Sequence, residues 1–248
     1  DMRLFGYGTF SGALLVNLLS VVALVGFLYF VAQHLQLIVG LAPMHAGLAL
    51  VPGMVAMIVA GLLVVPVSRR VAPRIVVPAA LCLSVTAYLL VPLAVGGGSL
   101  GMLVAAFTLL GLGIGAAETV SNDLVLASAP PAKAGAASAV SETAYEVGAV
   151  LGTAVLGGIL TASYRSGLVV PEGVPVEAAD AARETLAGAV TVAADLDGAT
   201  ADALMTAASH AFDAGVGVTA VIGAVLVAVA AVIAATTLGG TRNDRVDH

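Results

Sequence analysis

Long apolar stretches, separated by short polar or turn-forming breaks, set the pattern of this chain. Each stretch is about 20 residues or longer, the length that a helix needs to cross a hydrocarbon core about 30 Å thick. The breaks carry charge or turn chemistry, as in "SRR" at 68–70, "GGGS" at 96–99 and "PPAK" at 130–133. The pattern predicts an all-α integral membrane protein with six transmembrane helices, at residues 11–31, 46–67, 75–95, 100–127, 137–163 and 212–238.

Composition supports the membrane class and narrows the chemistry. The mean hydropathy is +1.10, and only 10% of the residues are charged, against about 25% in a soluble domain. Cys82 is the single cysteine, so no disulfide forms within the chain, and no pair of the four histidines has metal-ligand spacing. We expect a lipid bilayer around most of the chain, no metal or other cofactor, and no nucleic-acid partner. No intramembrane-enzyme motif is present, so we expect no enzyme.

Positive charges predict the orientation, because short cytoplasmic loops are rich in Lys and Arg. One face of the predicted bundle carries Arg3, Arg69, Arg70, Arg74, Lys133, Arg242 and Arg245. The other face has only Arg165 and Arg183, both in a long acidic loop at 164–210. The sequence therefore predicts an interfacial lead-in at 1–10, helices one to five within 11–163, an extracellular loop at 164–210, a last helix at 211–238 and a cytoplasmic tail at 239–248.

Six spans with both ends in the cytoplasm divide into two sets of three. Two such sets in sequence are inverted in the membrane, an arrangement common in transporters. We interpret the chain as one lobe, a 3+3 inverted repeat, of a rocking transporter. Asp1 stands where an initiator Met is expected, so we expect a piece of a longer protein whose partner is an N-terminal lobe of at least six helices.

Carboxylates within the fourth and fifth spans are the candidate functional groups. Glu142 and Glu146 are one helical turn apart and share a face. Glu118 shares a face with Asn122, whereas Asp123 lies about 140° away around the helix. Glu118 and Glu146 are at comparable depth on antiparallel helices, and no Lys or Arg lies within any predicted span.

Such carboxylates need a counter-charge, because ionised acids in hydrocarbon are costly. A proton or a cationic substrate can supply it, so we predict proton coupling by Glu118, Glu146, Glu142 and Asp123 and substrate binding by Glu118, Glu146 and Tyr145. Tyr145 is included because aromatic rings attract organic cations. The structural alternative is that the acids are protonated and hydrogen-bonded between helices. That alternative stays open for all four and is strongest for Asp123, then Glu142.

Three segments carry a family resemblance: "GLGIGAAETVSNDLVL" at 111–126, "SETAYEVGAVLGTAVLGGIL" at 141–160 and "GLALVPG" at 47–53. The sequence resembles the C-terminal half of the 14-helix drug:proton antiporters of the major facilitator superfamily, in particular the QacA-like and LfrA-like multidrug exporters. The resemblance implies a bacterial cytoplasmic membrane, energy from a proton gradient, and cationic lipophilic small molecules as substrates. "SRRVAPR" at 68–74 is similar to a degenerate form of the basic loop signature of the superfamily.

Two other functions remain open at this stage. One is export of a different metabolite, such as a lipid, a peptide or an antibiotic made by the cell itself. The other is a membrane module that scaffolds or senses a ligand without transporting it.

Overall fold

Six helices of the computed structural model are long and apolar enough to cross a membrane. The structure describes residues 2–97 and 100–239, and helices, turns and loops without strands make up that part of the chain. The candidate spans are Gly8–Ile38, Pro43–Ser68, Pro73–Gly96, Leu100–Ala127, Pro131–Gly167 and Gly198–Thr237. The all-α membrane class and the six predicted spans are confirmed.

The elements follow one another with short connections. A 3-10 turn (Met2–Gly6) precedes α1 (Gly8–Gln33), which continues through a π-helical turn (His34–Ile38). The next three elements are α2 (Pro43–Ser68), α3 (Pro73–Gly96) and α4 (Leu100–Ala127). The fifth span consists of α5 (Ala134–Leu151), a π-helical segment (Gly152–Gly157) and α6 (Gly158–Gly167). It is followed by α7 (Val176–Glu184), α8 (Leu186–Ala194) and α9 (Gly198–Thr237).

Packing between the helices follows the symmetry of an inverted repeat. In such a repeat α1 corresponds to α4, α2 to α5 and α3 to α9. The contacts agree: α2 and α3 both pack on α4, while α5 and α9 both pack on α1, and α3 packs on α9. The one-lobe architecture of two sets of three helices is therefore present in the contacts as well as in the count.

An aromatic cluster fixes the centre of the bundle. The ring of Phe27 on α1 lies 5.5 Å from the stacked ring of Phe107 on α4 and 5.6 Å from the ring of Tyr88 on α3. Tyr88 donates a hydrogen bond from its hydroxyl to the carbonyl oxygen of Ala23. All three rings are buried, so they hold α1, α3 and α4 together and leave α2 and α5 on the flanks.

The last helix is longer than the sequence predicts. It begins at Gly198, not at 211, and its 40 residues extend about 60 Å, twice the thickness of the hydrocarbon core. The loop predicted at 164–210 therefore ends in a helical extension. The reason is local: 198–210 is too polar to be predicted as membrane, but it is rich in alanine, which favours helix. Asp197 caps the helix by accepting a hydrogen bond from the backbone N–H of Thr200 at 3.0 Å.

The structure also places helices within the lead-in predicted at 1–10 and within the loop predicted at 164–210. The first helix begins at Gly8, inside the lead-in predicted at 1–10. Within the segment predicted as a loop, α7 and α8 form a helical hairpin, which is held to α6 by a hydrogen bond from the Tyr164 hydroxyl to the Ala182 carbonyl oxygen at 2.8 Å. We call this side of the bundle the hairpin end and the opposite side the terminal end. Of the tail predicted at 239–248, residues 240–248 lie outside the described residues.

Candidate functional site

Two glycines on α4 bring its backbone against α2. A Cβ at Gly111 would collide with the carbonyl oxygen of Gly53, and a Cβ at Gly115 would collide with the backbone of Met57. Small residues at i and i+4 allow this close approach of membrane helices. Glu118 follows three residues after Gly115, so its side chain enters the space between the two helices where their backbones are closest.

That space is a cavity of about 480 Å³, a volume within the usual range of small-molecule sites. Most of its wall is apolar, and its polar groups are one carboxyl, one phenol, one amide and one hydroxyl. No Lys, Arg or His lines it. The lining residues are Met57, Ile58, Gly61, Leu62, Val65, Gly115, Glu118, Thr119, Asn122 and Tyr145.

The carboxyl group of Glu118 is the polar focus of the cavity. Its Oε1 is buried and has no hydrogen-bond partner among the described residues. An ionised carboxylate without a partner costs far more in apolar surroundings than a neutral one. A bound proton or a cation would offset that cost, and the role predicted for Glu118 in proton coupling and substrate binding stays a prediction.

Tyr145 comes to the same cavity from α5. Its ring is half-buried and lies within electrostatic range of Glu118 and Glu142. A hydrogen bond from the Ser141 hydroxyl to the Asn122 side-chain oxygen, 3.1 Å long, ties this part of α5 to α4. The Tyr145 ring and the Glu118 carboxyl group therefore line the same cavity.

Glu146, unlike Tyr145, does not line this cavity. Both Glu142 and Glu146 are exposed on α5 and neither lines the cavity. The reason is the packing of α5, which lies mainly against α1 and has few contacts with α4. The roles predicted for Glu146, in proton coupling and in substrate binding together with Glu118, stay predictions.

Asp123 lines a second cavity of about 260 Å³, together with Ser68 and Arg69 at the end of α2. This cavity adjoins that of Glu118, because Val65 and Thr119 line both. This position agrees with the angle of about 140° between Glu118 and Asp123. Of the four predicted carboxylates, Glu118 thus lines the larger cavity and Asp123 lines the adjoining one, which Arg69 also lines. Arg69 lies just beyond the second predicted span, which ends at residue 67. The observation that no Lys or Arg lies within a predicted span therefore does not include it.

Sequence reasoning missed several buried polar groups. His34 and Asp213 form a contact between α1 and α9, with Nδ1 and Oδ1 3.2 Å apart. Asn17, Ser20 and Ser121 are buried without side-chain hydrogen-bond partners among the described residues. Each is a polar residue inside an apolar run, and that signal was available. In the described part of the chain no group of three or more His, Cys, Asp or Glu side chains is arranged to hold a metal ion.

Comparison with known proteins identifies the family to which the chain belongs. The model of the Major Facilitator Superfamily matches residues 5–171, more than half of the chain, and the six-helix architecture agrees with that match. The chain belongs to the major facilitator superfamily, a family of membrane transporters, and is a multi-pass membrane protein.

Several curated relatives are efflux or resistance proteins. The chain is 48% identical to the multidrug efflux pump LfrA of Mycolicibacterium smegmatis over 94% of its own length and 46% of that protein. It is 31% identical to the methyl viologen resistance protein SmvA of Salmonella typhimurium (86% of the chain, 43% of the relative). It is also 31% identical to the tetracenomycin C resistance and export protein of Streptomyces glaucescens (95% and 45%). The chain spans about half the length of these relatives.

Proposed function

We propose that this chain is the C-terminal lobe of a proton-coupled exporter of lipophilic or quaternary ammonium cations, one of the 14-helix drug:proton antiporters. The observation that carries the proposal is the buried, unpartnered carboxyl oxygen of Glu118 in the wall of a largely apolar cavity. A site of this kind accepts a proton or an organic cation but not both. That mutual exclusion is the requirement for antiport.

The remainder of the cavity suits an organic cation. Met57 contributes an adaptable thioether and Leu62 an apolar wall. The face of Tyr145 attracts a cation by about 0.5–2 kcal/mol. The names of two relatives are in keeping with this chemistry, since one is a multidrug efflux pump and the other confers resistance to methyl viologen, an organic dication.

The proposal also specifies the membrane, the orientation, the partner lobe and the energy source. The protein lies in the bacterial cytoplasmic membrane with both ends of this segment in the cytoplasm and the hairpin end outside. An N-terminal lobe of the same transporter faces the cavity of Glu118. The proton gradient supplies the energy, and no cofactor takes part.

The deciding experiment compares Glu118→Gln with Asp202→Asn in the full-length transporter, reconstituted in vesicles. Glutamine keeps the shape and the hydrogen-bonding capacity of Glu118 but cannot ionise. We expect Glu118→Gln to insert normally and to lose accumulation of a fluorescent organic cation driven by a pH gradient. Asp202→Asn, exposed near the start of α9 and outside both cavities, is the matched control and should keep most of this transport. Proton-driven accumulation at the wild-type rate in Glu118→Gln would refute the proposal.

A second pair of variants separates substrate binding from proton coupling. Tyr145→Ala should weaken the apparent affinity for the cation about 2- to 30-fold, which is the cation–π energy expressed as a ratio. Tyr145→Phe keeps the ring and should lie close to the wild type. Equal losses in both variants would assign the role to the hydroxyl group and remove Tyr145 from the cation site.

A second candidate function is export of an antibiotic made by the cell itself. The specific support is the relative named for tetracenomycin C resistance and export, whose alignment extends over 95% of the chain. The two candidates differ in what Glu118 does, because a neutral substrate needs no carboxylate partner. Competition by a neutral aromatic compound that is equally strong in the wild type and in Glu118→Gln would favour the second candidate.

A further inference from the structure

The fifth membrane span contains a π-helical segment between two α-helical parts. Residues Gly152–Gly157 form this segment and separate α5 from α6. A π-helical turn closes its hydrogen bonds one residue later than an α-helical turn, so it holds one extra residue, and such turns are frequent at functional sites. The segment begins six residues after Glu146, on the helix that also carries Tyr145. Its geometry therefore sets which residues of α5 reach the cavity of Glu118.

The backbone at the start of the segment is satisfied in a way that allows a regular helix as well. The Thr153 hydroxyl donates a hydrogen bond to the carbonyl oxygen of Ala149 at 3.2 Å. Hydroxyl side chains and local π-helical geometry both satisfy backbone groups of irregular membrane helices. In a regular α-helix the same carbonyl oxygen accepts a hydrogen bond from the backbone N–H of Thr153. Conversion of the segment to α-helix thus leaves this carbonyl oxygen with a partner.

The two α-helical parts of the span are held to different degrees. On α6, Tyr164 donates a hydrogen bond to the Ala182 carbonyl oxygen of the hairpin at 2.8 Å, and α6 packs extensively on α9. On the other side of the segment, α5 has few contacts with α4, to which the hydrogen bond between Ser141 and Asn122 ties it. A change in the π-helical segment would therefore turn α5 and leave α6 in place.

Conversion of the segment to α-helix would shift the register of α5 by one residue. Because α6 is fixed, each residue of α5 would take the position that the preceding residue holds now, a rotation of about 100° with a shift of about 1.5 Å along the axis. Glu146 would take the position of Tyr145 in the cavity wall. Glu142 would take the position of Ser141, beside Asn122. One step thus moves both exposed glutamates toward the cavity.

The packing of α5 on α1 decides which register is more populated. Ala149 would take the position of Gly148, where a Cβ lies 3.1 Å from the Leu18 carbonyl oxygen, so α1 must give by a few tenths of an ångström. The larger adjustment is at Ala144, which is buried and whose position Tyr145 would take. The two helices must separate slightly there. The second register is therefore less populated than the observed one.

We propose that α5 has two registers, exchanged through the π-helical segment, and that Tyr145 and Glu146 alternate in one position of the cavity wall. The observed register places a phenol in the same cavity as the carboxyl group of Glu118. The second register places a carboxyl group there instead, so the cavity presents either one or two acidic groups. The two registers do not depend on Glu118 being the antiport site, so this proposal and the proposed function can fail separately.

Disulfide formation with a cysteine at position 122 reports the register in the full-length transporter, in membranes and in a background without other cysteines, which includes Cys82→Ser. The side chains of Asn122 and Ser141 are 3.1 Å apart, so Asn122→Cys with Ser141→Cys should cross-link readily in the observed register. Asn122→Cys with Glu142→Cys reports the second register. Minor conformations hold about 0.1–10% of a population, and we expect this pair to cross-link at about that fraction of the rate of the first pair.

Asn122→Cys with Thr143→Cys is the matched control, because Thr143 is exposed on α5 and takes the position of Ser141 in neither register. This pair should cross-link more slowly than the pair with Glu142→Cys. Equal rates for the two pairs would overturn the proposal, because the second register would then not be populated.

Deletion of Ala154 connects the second register to the π-helical segment. It removes the extra residue, so the span becomes a continuous α-helix in which α5 keeps the observed register and has no alternative. The pair with Ser141→Cys should cross-link as before, whereas the pair with Glu142→Cys should slow about tenfold or more. Deletion of Val155 makes the same change and carries the test if the first deletion does not insert. An unchanged rate for the pair with Glu142→Cys would show that the segment does not exchange the registers, and the proposal would be wrong.

Discussion

The glycine contact between α4 and α2 gives the sharpest quantitative prediction. A Cβ at Gly115 would lie 2.9 Å from the Cα and the carbonyl carbon of Met57, and the carbonyl oxygen is closer still. To reach an ordinary contact of 3.4 Å, α2 must retreat by about 0.5 Å or more. Overpacking of this kind costs about 1–3 kcal/mol. We therefore expect Gly115→Ala to destabilise the bundle and to widen the cavity of Glu118.

The matched control is Gly101→Ala, at the start of the same helix, where an added Cβ meets nothing within 4 Å. An alanine in the middle of a helix gains roughly 0.5–1 kcal/mol of helix propensity over glycine. Gly101 lies in the first turn and gains less than Gly115, so the difference between the two variants gives a lower limit for the cost of the collision. At roughly 2–4 °C per kcal/mol for a chain of this size, Gly115→Ala should melt at least about 2 °C below Gly101→Ala. The measurement is fluorescence-detected size-exclusion chromatography after heating. Equal melting temperatures would show that the two helices are not held by this contact.

Two further predictions concern the hairpin and the orientation. Tyr164→Phe removes the hydrogen bond to the Ala182 carbonyl oxygen, which contributes about 0.5–1.5 kcal/mol, and should speed proteolysis within α7 and α8 about 2- to 10-fold while leaving the membrane helices intact. In a Cys82→Ser background, a cysteine at Val169, which is 80% exposed, should react with an impermeant thiol reagent added to intact cells, and one at Val71 should not. Unchanged proteolysis or the reverse labelling would contradict the first and the second expectation, respectively.

The helices could be predicted from the sequence because a membrane span leaves a strong local signal. An apolar run of about 20 residues is sufficient, and neither Pro52 nor Pro66 interrupts the second span, since surrounding helices tolerate proline in membranes. The start of α9 could not be predicted in this way. Residues 198–210 are helical because they are rich in alanine and because Asp197 caps the helix. They precede the apolar run of α9, so an apolar pattern does not reveal them.

The candidate site was predictable only to the extent that it depends on one helix. The angular relation of Glu118 to Asn122 and Asp123 follows from helix geometry, and the first two line one cavity while the third lines another. The relation of Glu118 to Glu146 depends on how α5 packs, and that information is not local. His34 and Asp213 were missed for the same reason, because the two residues are distant in sequence and only the packing of α1 on α9 brings them together.

The distribution of tight and loose packing bears on how the site works. Glu118 is on α4, and Gly111 and Gly115 hold the backbone of this helix against α2. On the same helix, the ring of Phe107 is stacked on Phe27 in the buried aromatic cluster. A helix held on two sides does not rotate freely when its carboxyl group gains or loses a proton. The adjustable wall is α5, which has few contacts with α4 and carries Tyr145. Under the function proposed above, proton exchange at Glu118 would therefore act on the position of α5 more readily than on α4, and such a movement would strain the Ser141–Asn122 hydrogen bond.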